Sequence, residues 1–311
     1  MLYTYTTASQ SEKERLDSYL AEQNADMSRS RIQNLIKSGD ILVNGKKVKA
    51  GFMLNDGDII SMDMPEPESI DIKAEDIPLD IVYEDSDVIV VNKPKGMVVH
   101  PANGHYSGTL VNALMFHCRD SLSGINGEMR PGIVHRIDMD TTGLLIACKN
   151  DKAHNCIAAQ LAEHSITRRY IALVYNNFNT DEGTVDANID RSRADRKMMA
   201  VCAPTEGRNA VTHYSVLERF PAHGIYRIPM TLVECKLDTG RTHQIRVHMS
   251  HIGHPLAGDE IYGIRKDVFA GCGQYLHAAV LGFVHPSTGH YMEFSAELPK
   301  YFSDTLIKLR Q

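Results

Sequence analysis

The sequence predicts an α+β fold in which a small α/β module precedes a large domain built on a mixed or antiparallel sheet. Strand-like segments rich in β-branched and aromatic residues recur in the second half of the chain, where residues 154–166 show the clearest helical periodicity. Many strands with few helices are typical of α+β proteins and not of alternating βαβ units. An acidic segment with three prolines, residues 64–80, predicts a linker between module and domain.

The front module is predicted over residues 12–63. Leu16 and Leu20 have helical spacing, and a second helical segment ends near Gly39. The serines that begin this second segment are suited to cap it. Two short β-like segments follow, with turns at Asn44-Gly45 and Asp56-Gly57. We therefore expect two helices followed by a hairpin.

Charge is unevenly distributed within this module. The chain carries a net charge of −6, yet residues 28–49 hold six basic residues against Asp40 alone. Such a cluster is either a solvated helix face, which composition alone favours, or a surface that follows phosphates. The six basic residues are Arg29, Arg31, Lys37, Lys46, Lys47 and Lys49.

Composition also bears on the compartment and on the assembly. The six cysteines form no CxxC pair, and the first twenty residues lack a secretory apolar region, so a reduced, cytoplasmic protein is expected. No apolar run approaches the roughly 18 to 20 residues that a membrane span needs. A soluble protein without membrane contact is predicted. With no heptad pattern or long apolar patch, a monomer is expected.

The large domain is predicted over residues 81–311. It should start with two strands joined by a polar turn at residues 84–87, and a loop should leave the second strand at Lys93. Two polar clusters stand out, "HRIDMDTTGLL" at residues 135–145 and "TGRTHQIRVHMSHIGHPLAGD" at residues 239–259. In "HQIRVH" apolar and polar residues alternate, so a strand with one face on the core would direct Arg246 into a cleft.

Asp138 lies directly before the apolar run of the first cluster. A carboxylate in an apolar pocket is penalised in its charged form, and a nearby arginine restores that form. Arg241 and Arg246 are both candidates for this partner.

The sequence disfavours three other kinds of site. A glycosidase pair would use Asp138 and Asp140, but two residues apart in a strand do not span a sugar ring. A zinc site would use His248, His251 and His254, yet a glycine and a proline interrupt the helix that would align them. The chain contains no GxxxxGK[ST] and no GxGxxG phosphate-binding motif. No metal is therefore expected.

The two parts of the chain resemble two known families. "RLDSYL", "SRSRIQNLIKSGDILVNGKKVKAG" and "LNDGDII" resemble the S-four (S4) domain, an RNA-binding module, which favours the phosphate-following surface. From residue 81 onward the chain resembles pseudouridine synthases of the RluA family, in the branch that carries an S4 domain. Six ordered blocks carry this resemblance: "NKPKGMVVHP", "GIVHRIDMDTTGLLIACKND", "RRYIALV", "GRNAVTHYSVLE", "LDTGRTHQIRVHMSHIGHPLAGDEIYG" and "YLHAAVLGFVHPSTG".

The RluA resemblance implies roles for particular residues. Asp138 matches the essential catalytic aspartate, and Arg246 the basic residue that pairs with it. Tyr170 matches the tyrosine that stacks near the uracil and is a candidate base. Arg136 matches an arginine that enters the RNA stack when the target base leaves it. The chain departs from the commoner family residues at positions 137, 142 and 148, none of them catalytic.

The resemblance also implies the partners. The reaction is an isomerisation without oxidation, so no cofactor is expected. RNA contacts are expected from the basic residues of the front module, from His135 and Arg241, and from "IDRSRADRK", whose basic residues otherwise form an exposed loop without a partner. The basic residues of that last segment are Arg191, Arg193, Arg196 and Lys197.

Three hypotheses for function remain at this point. The first is a pseudouridine synthase for large-subunit (23S) ribosomal RNA, either free or in an assembling ribosomal particle. The second is a transfer-RNA synthase with the same chemistry. The third is a non-catalytic RNA-binding factor for ribosome assembly that has kept the fold.

Overall fold

The computed structural model divides the chain into two units, Met1–Ile70 and Asp71–Gln311. No helix in the described part of the chain is long and apolar enough to cross a membrane. The structure describes residues 2–7, 14–24, 27, 29–63, 72–101, 105–119, 121–125, 127, 130–195 and 198–311.

The first unit packs two helices on a three-stranded antiparallel sheet of order β1-β3-β2. Its elements are β1 (Leu2–Thr6), α1 (Leu16–Gln23), α2 (Arg29–Ser38), β2 (Ile41–Val43) and β3 (Ile59–Asp63). The two helices and the β2–β3 hairpin agree with the sequence prediction, whereas β1 was not predicted. The serine at position 28 that was expected to help cap α2 lies outside the described residues.

Local sequence explains the ends of these elements. α2 ends at Ser38 and is followed by Gly39, whose φ of 99° is readily adopted by glycine; the Gly39 amide donates back to the Leu35 carbonyl. Asn44 and Gly45 both have positive φ, as the tight turn after β2 requires. The apolar faces of the helices, including Leu20 and Ile36, are buried against the sheet.

A buried carboxylate joins the two helices of this unit. The side chain of Asp17 is fully buried, and it accepts hydrogen bonds from Arg15, from Arg29 and from Gln33. The hydrogen bond from Arg15 is the largest influence that holds the pKa of Asp17 well below its usual range, and Arg29 and Gln33 add to it against the effect of burial. Arg29, predicted to contact RNA, is thus engaged within the module.

Asp17→Asn should destabilise the first unit by about 2 kcal/mol at pH 7, because charge-assisted hydrogen bonds are lost. The lowered pKa means that this stabilisation is present above the ordinary carboxyl pKa of about 3.9 and disappears as the pH falls below it. Hydrogen exchange of first-unit amides in the full chain measures the effect at pH 7 and pH 3. Glu22→Gln, an exposed change on the same helix, is the control. Equal protection of Asp17→Asn and the unchanged chain at pH 7 would contradict the prediction.

The predicted linker falls partly outside the described residues, which resume at position 72. Residues 72–80 pack on the second unit: the Glu75 amide donates to the Asn112 carbonyl, and the Asn112 side chain donates to the Lys73 carbonyl. The Glu75 carboxylate accepts from the Gly108 amide. Residues 72–80 therefore form part of the second unit.

The second unit is built on a nine-stranded sheet with helices against it. The strand order is β4-β5-β6-β13-β7-β12-β11-β8, with β14 also paired to β13. Its elements are β4 (Ile81–Glu84), β5 (Val88–Lys93), α3 (Leu110–Cys118), β6 (Thr142–Cys148), α4 (Asp151–Ala162), β7 (Thr167–Tyr175), β8 (Glu182–Asp186), β9 (Ile189–Arg191), β10 (Met199–Val201), β11 (Val211–Phe220), β12 (Met230–Leu237), α5 (Gln244–His251), β13 (Leu276–Val284), β14 (Tyr291–Ser295) and α6 (Lys300–Leu309).

The sheet is mixed: β6 and β13 run parallel, and the other paired strands are antiparallel. Together with the first unit this confirms the α+β fold class. β7 lies in the interior of the sheet, where Tyr170 is opposite Cys235 of β12 and Ala278 of β13. β6 is buried along its whole length. A short ribbon of β9 and β10 stands apart from the large sheet.

The strand expected at "HQIRVH" is wrong, because these residues begin helix α5. Residues 244–249 are all buried, so the sequence alternation does not reflect one core face and one solvent face. Polar Gln244 and His248 are buried because both are hydrogen-bonded, Gln244 to the Val211 carbonyl and His248 to Thr212 and the Ala187 carbonyl. The alternation of apolar and polar residues thus arose from polar side chains that are buried and hydrogen-bonded, not from a strand with one solvent-exposed face.

Candidate active site

A cleft of about 710 Å³ in the second unit brings the two polar clusters together. Its walls come from residues 130–141 before β6, from the end of α4, from β7, and from residues 237–246. The three residues predicted to be catalytic, Asp138, Tyr170 and Arg246, all line it. Its lining includes one carboxylate, that of Asp138, and six arginines: Arg130, Arg136, Arg168, Arg208, Arg241 and Arg246.

Arg246 joins two aspartates at the base of the cleft. Its Nη1 donates to Asp138 Oδ2 at 2.9 Å, while Nε and Nη2 donate to the two carboxylate oxygens of Asp259 at 2.7 and 2.9 Å. Arg246 and Asp259 are only 4% and 2% exposed, so water does not screen this pair. Asp259 also accepts from the amides of Ile261 and Tyr262. The arrangement fixes Arg246 and directs its third donor to Asp138.

This network decides the charge states of its members. Burial works against the charged form of Arg246, but hydrogen bonds and charge from Asp259, and then from Asp138, raise its pKa. Burial also opposes ionisation of Asp259, yet its contacts with Arg246 hold the pKa of that carboxyl below its usual range. Arg246 therefore stays positive beside Asp138.

The second oxygen of Asp138 faces His243. Oδ1 has no hydrogen-bond partner among the residues that the structure describes, and His243 Nε2 lies 3.7 Å from it. His243 Nδ1 is 2.9 Å from the Tyr262 hydroxyl, whose ring also packs under the Arg246 guanidinium. Desolvation lowers the pKa of His243, against the effect of Asp138. Sequence reasoning missed His243, Tyr262 and Asp259, although all three lie in or beside the second polar cluster.

Lys93 holds the loop that carries Asp138. Its side chain is 1% exposed, and Nζ donates to three carbonyls, those of Pro94, Met97 and Met139, at 2.8 to 2.9 Å. Burial lowers the pKa of Lys93 to about 7, opposed by the charges of Asp140 and Asp138. Because Met139 follows Asp138 directly, this contact of Lys93 fixes the backbone of the loop that carries Asp138.

Tyr170 contributes an aromatic ring to the same cleft from the middle of the sheet. It is buried, and desolvation raises the pKa of its hydroxyl; Arg168 acts to lower that pKa and Asp138 to raise it further. Tyr170 is therefore a neutral phenol at neutral pH.

The other residues predicted beside the site also line the cleft, in different surroundings. Arg136 is exposed at its edge. His135 Nε2 accepts from the Ile146 amide, and desolvation, with Arg168 nearby, lowers its pKa to about 3, so it is neutral and orients the loop. Arg241 Nε donates to the Asn209 carbonyl. Of the two arginines considered as partners of Asp138, Arg246 is the one in contact.

Within the second unit, neither Arg191 nor Arg193 lines this cleft. Arg191 and Arg193 are exposed at and beyond the end of β9, and Arg193 pairs with Glu206 at 2.7 Å. Arg196 and Lys197 fall outside the described residues. The basic residues of the first unit are exposed, and Lys47 donates to the Ser38 carbonyl.

Two of the three histidines in the zinc hypothesis, His248 and His254, are hydrogen-bonded to other groups. Both ring nitrogens of His248 are hydrogen-bonded within the second unit, and His254 Nδ1 bonds to the Tyr175 carbonyl. Within the part of the chain that the structure describes, no group of three His, Cys, Asp or Glu residues is arranged to hold a metal ion.

Comparison with known proteins gives the class of this chain. The family model for RNA pseudouridylate synthases matches residues 87–251, and the S4 domain model matches residues 14–60. The chain belongs to the RNA pseudouridylate synthase family and carries an S4 domain at its front, so the resemblance seen in the sequence is confirmed. It is an isomerase that acts on uridine in RNA.

Relatives match this chain over nearly its whole length. It is 54% identical to "Uncharacterized RNA pseudouridine synthase YlyB" of Bacillus subtilis, covering 98% of this chain and 97% of that protein. It is 48% identical to "Ribosomal large subunit pseudouridine synthase D" of Zymomonas mobilis, covering 92% and 90%. Among solved structures, "Human RNA Pseudouridylate Synthase Domain Containing 1" has a TM-score of 0.58 at 24% identity, covering 79% of this chain and 98% of that one, which shows a shared fold.

Proposed function

We propose that this chain isomerises specific uridines to pseudouridine in large-subunit (23S) ribosomal RNA, with Asp138 as the essential group and without a cofactor. The observation that carries the proposal is the state of Asp138 in the cleft. Arg246 holds Oδ2, while Oδ1 has no hydrogen-bond partner among the described residues. The arginine-rich lining attracts a polyanion to this carboxylate.

The proposed reaction breaks the bond between ribose C1′ and uracil N1 and forms a bond between C1′ and uracil C5. The proton lost from C5 is balanced by one gained at N1, so atoms and electrons are conserved. Asp138 Oδ1 either attacks C1′ or removes a ribose proton to give a glycal-like intermediate. Tyr170 stacks on the uracil and is the candidate base: the phenol gives its proton to N1 of the detached uracil, and the phenolate then removes the C5 proton. Burial of these groups retains the detached base and excludes water.

The choice of large-subunit RNA rests on named relatives. Proteins called ribosomal large subunit pseudouridine synthase D occur in Zymomonas mobilis and Pseudomonas aeruginosa, the latter 42% identical over 96% of this chain. Both alignments are long enough to include most of the S4 domain as well as the cleft. We place the reaction in the cytoplasm, since all six cysteines are free thiols, and in a monomer, since one chain supplies Asp138, Tyr170 and Arg246.

RNA is also held by the first unit in this proposal. Lys37, Lys46 and Lys49 are exposed and serve as phosphate contacts, whereas Arg29 mainly supports the module through Asp17. In the second unit, Arg136 at the edge of the cleft fills the stack when the target uridine is flipped out, a step that costs a few kcal/mol.

Incubation of the purified full chain with unmodified transcripts tests the substrate. Carbodiimide labelling and primer extension should show pseudouridine at discrete sites in 23S RNA, and transfer-RNA transcripts should stay unmodified. Modification of transfer RNA alone would overturn the ribosomal assignment. Tight binding of 23S RNA with no pseudouridine in free RNA or in assembling particles would favour the assembly-factor hypothesis instead.

A further inference from the structure

Arg168 is a buried cation in the catalytic cleft with no role in the proposed reaction. It is 6% exposed and lies on β7, two residues before Tyr170. Side chains two apart on a strand share a face, and both residues line the cleft. Its neighbour Arg169 points to the other face of the strand, where it pairs with Glu293 and Glu234.

The guanidinium of Arg168 is incompletely paired. Nη2 donates to the Asp238 carbonyl at 3.2 Å, and Nε is buried without a hydrogen-bond partner among the described residues. It forms no ion pair with any carboxylate in the described part of the chain, in contrast to Arg246, which has two. A buried guanidinium without a counter-charge is costly. Among the described residues, no carboxylate compensates this charge.

The glycine at position 240 leaves room for the Arg168 guanidinium. A Cβ on Gly240 would lie 2.6 Å from Arg168 Nη1, and the three nearest atoms that it would meet all belong to the Arg168 guanidinium. Gly240 does not adopt a positive φ, so its backbone does not require glycine. The small residue at position 240 therefore allows the guanidinium to occupy its place in the cleft wall.

We propose that Arg168 binds a phosphodiester oxygen of the RNA next to the target uridine, inside the catalytic cleft. A phosphate supplies the missing counter-charge and accepts two hydrogen bonds from a guanidinium. This contact fixes the backbone of the flipped nucleotide relative to Asp138 and favours a polynucleotide over free uridine. The inference rests on the proposed function, because it takes RNA as the ligand of this cleft.

Arg168→Gln is the first test. Once modified sites are mapped, a stem-loop RNA with one mapped uridine serves as the probe. The variant should weaken binding about 10-fold and lower the slope of log affinity against log salt by about one, as expected for one lost phosphate contact. The rate at saturating RNA should change less than the affinity. Arg168→Lys should recover part of the affinity, because it keeps the charge but not the fork.

Two further variants control for structural effects. Arg169→Gln, on the same strand but the opposite face, should change neither affinity nor salt slope. Gly240→Ala leaves Arg168 intact but displaces its guanidinium, so it should also weaken RNA binding. Combined with Arg168→Gln, it should cause little further loss of affinity.

A neutral methylphosphonate at one position of the stem-loop identifies the phosphate. At the linkage on the 5′ or the 3′ side of the target, it should weaken binding to the unchanged chain about 10-fold and to Arg168→Gln hardly at all. An unchanged salt slope with a lower unfolding midpoint would assign Arg168 a structural role and overturn the proposal.

If Arg168→Gln changes the pH profile of the rate at saturating RNA but leaves RNA affinity unchanged, the proposal is also overturned. Arg168 would then act on the pKa of Tyr170 and not on a phosphate. Failure of the proposed function appears separately, as no pseudouridine with the unchanged chain. Affinity and salt slope are then compared on a 23S RNA fragment that the unchanged chain binds, so the comparison still tests Arg168.

Discussion

Asp138→Asn is expected to lower the rate of pseudouridine formation by at least about 1,000-fold while RNA affinity stays within about 3-fold. Asparagine has nearly the shape of aspartate, so its side-chain oxygen can still accept the hydrogen bond from Arg246. The asparagine amide, however, neither attacks C1′ nor accepts a proton. Single-turnover kinetics with saturating enzyme measure the chemical step, and filter binding measures affinity. A large loss of rate without a loss of RNA affinity is expected only if Asp138 acts on the substrate itself.

Asp140→Asn is the matched control for this result. Asp140 is two residues further along the same loop, but its side chain lies beside Gly273 and does not line the cleft. It should retain roughly the activity of the unchanged chain. An Asp138→Asn variant with more than about one tenth of the original rate would contradict the assignment, as would equal losses in the two variants.

Arg246→Met should destabilise the second unit by about 3–5 kcal/mol and also abolish activity. It removes three charge-assisted hydrogen bonds and leaves the Asp259 carboxylate buried without its cation. Urea denaturation at pH 7, followed through the transition of the second unit, measures the loss. The stability of Arg246→Lys should lie between those of Arg246→Met and the unchanged chain, because lysine keeps the charge but cannot donate to both oxygens of Asp259 at once.

The pH dependence of this loss gives a second check. In the unchanged chain the lowered pKa of Asp259 stabilises the fold above the ordinary carboxyl pKa and ceases to do so as the pH falls. Without Arg246, burial favours the protonated carboxyl, so the deficit of Arg246→Met should shrink as the pH falls toward 4. Arg246→Met combined with Asp259→Leu should regain part of the stability at pH 7. A loss of stability below about 1 kcal/mol in Arg246→Met alone at pH 7 would contradict a buried network of Arg246 and Asp259.

Much of the fold was predictable because its signals are local. β-Branched runs mark strands such as β5 and β7, and the turn residues Asn44-Gly45 mark the end of β2. The strand β1 was missed because its place depends on pairing with β3, more than fifty residues away. Helix α5 was misassigned because the burial of its polar residues depends on partners that are distant in sequence, such as Val211 and Thr212 for Gln244.

The site was predictable only in part. Sequence reasoning alone identified Asp138 and left Arg241 and Arg246 as equal partners, and the family resemblance favoured Arg246, which the geometry places in contact. Asp259 was not identified, because nothing local distinguishes a buried carboxylate from one in a turn. The unpaired state of Arg168 is likewise a property of the assembled cleft.

The most direct measurement of the central claim is pseudouridine mapping of total RNA from cells in which the native gene is replaced by the intact chain or by Asp138→Asn. Carbodiimide labelling with primer extension should show specific large-subunit signals with the intact chain, and these should vanish with the variant at equal protein level. Persistence of every signal, with RNA binding of the purified variant unchanged, would contradict catalysis by Asp138.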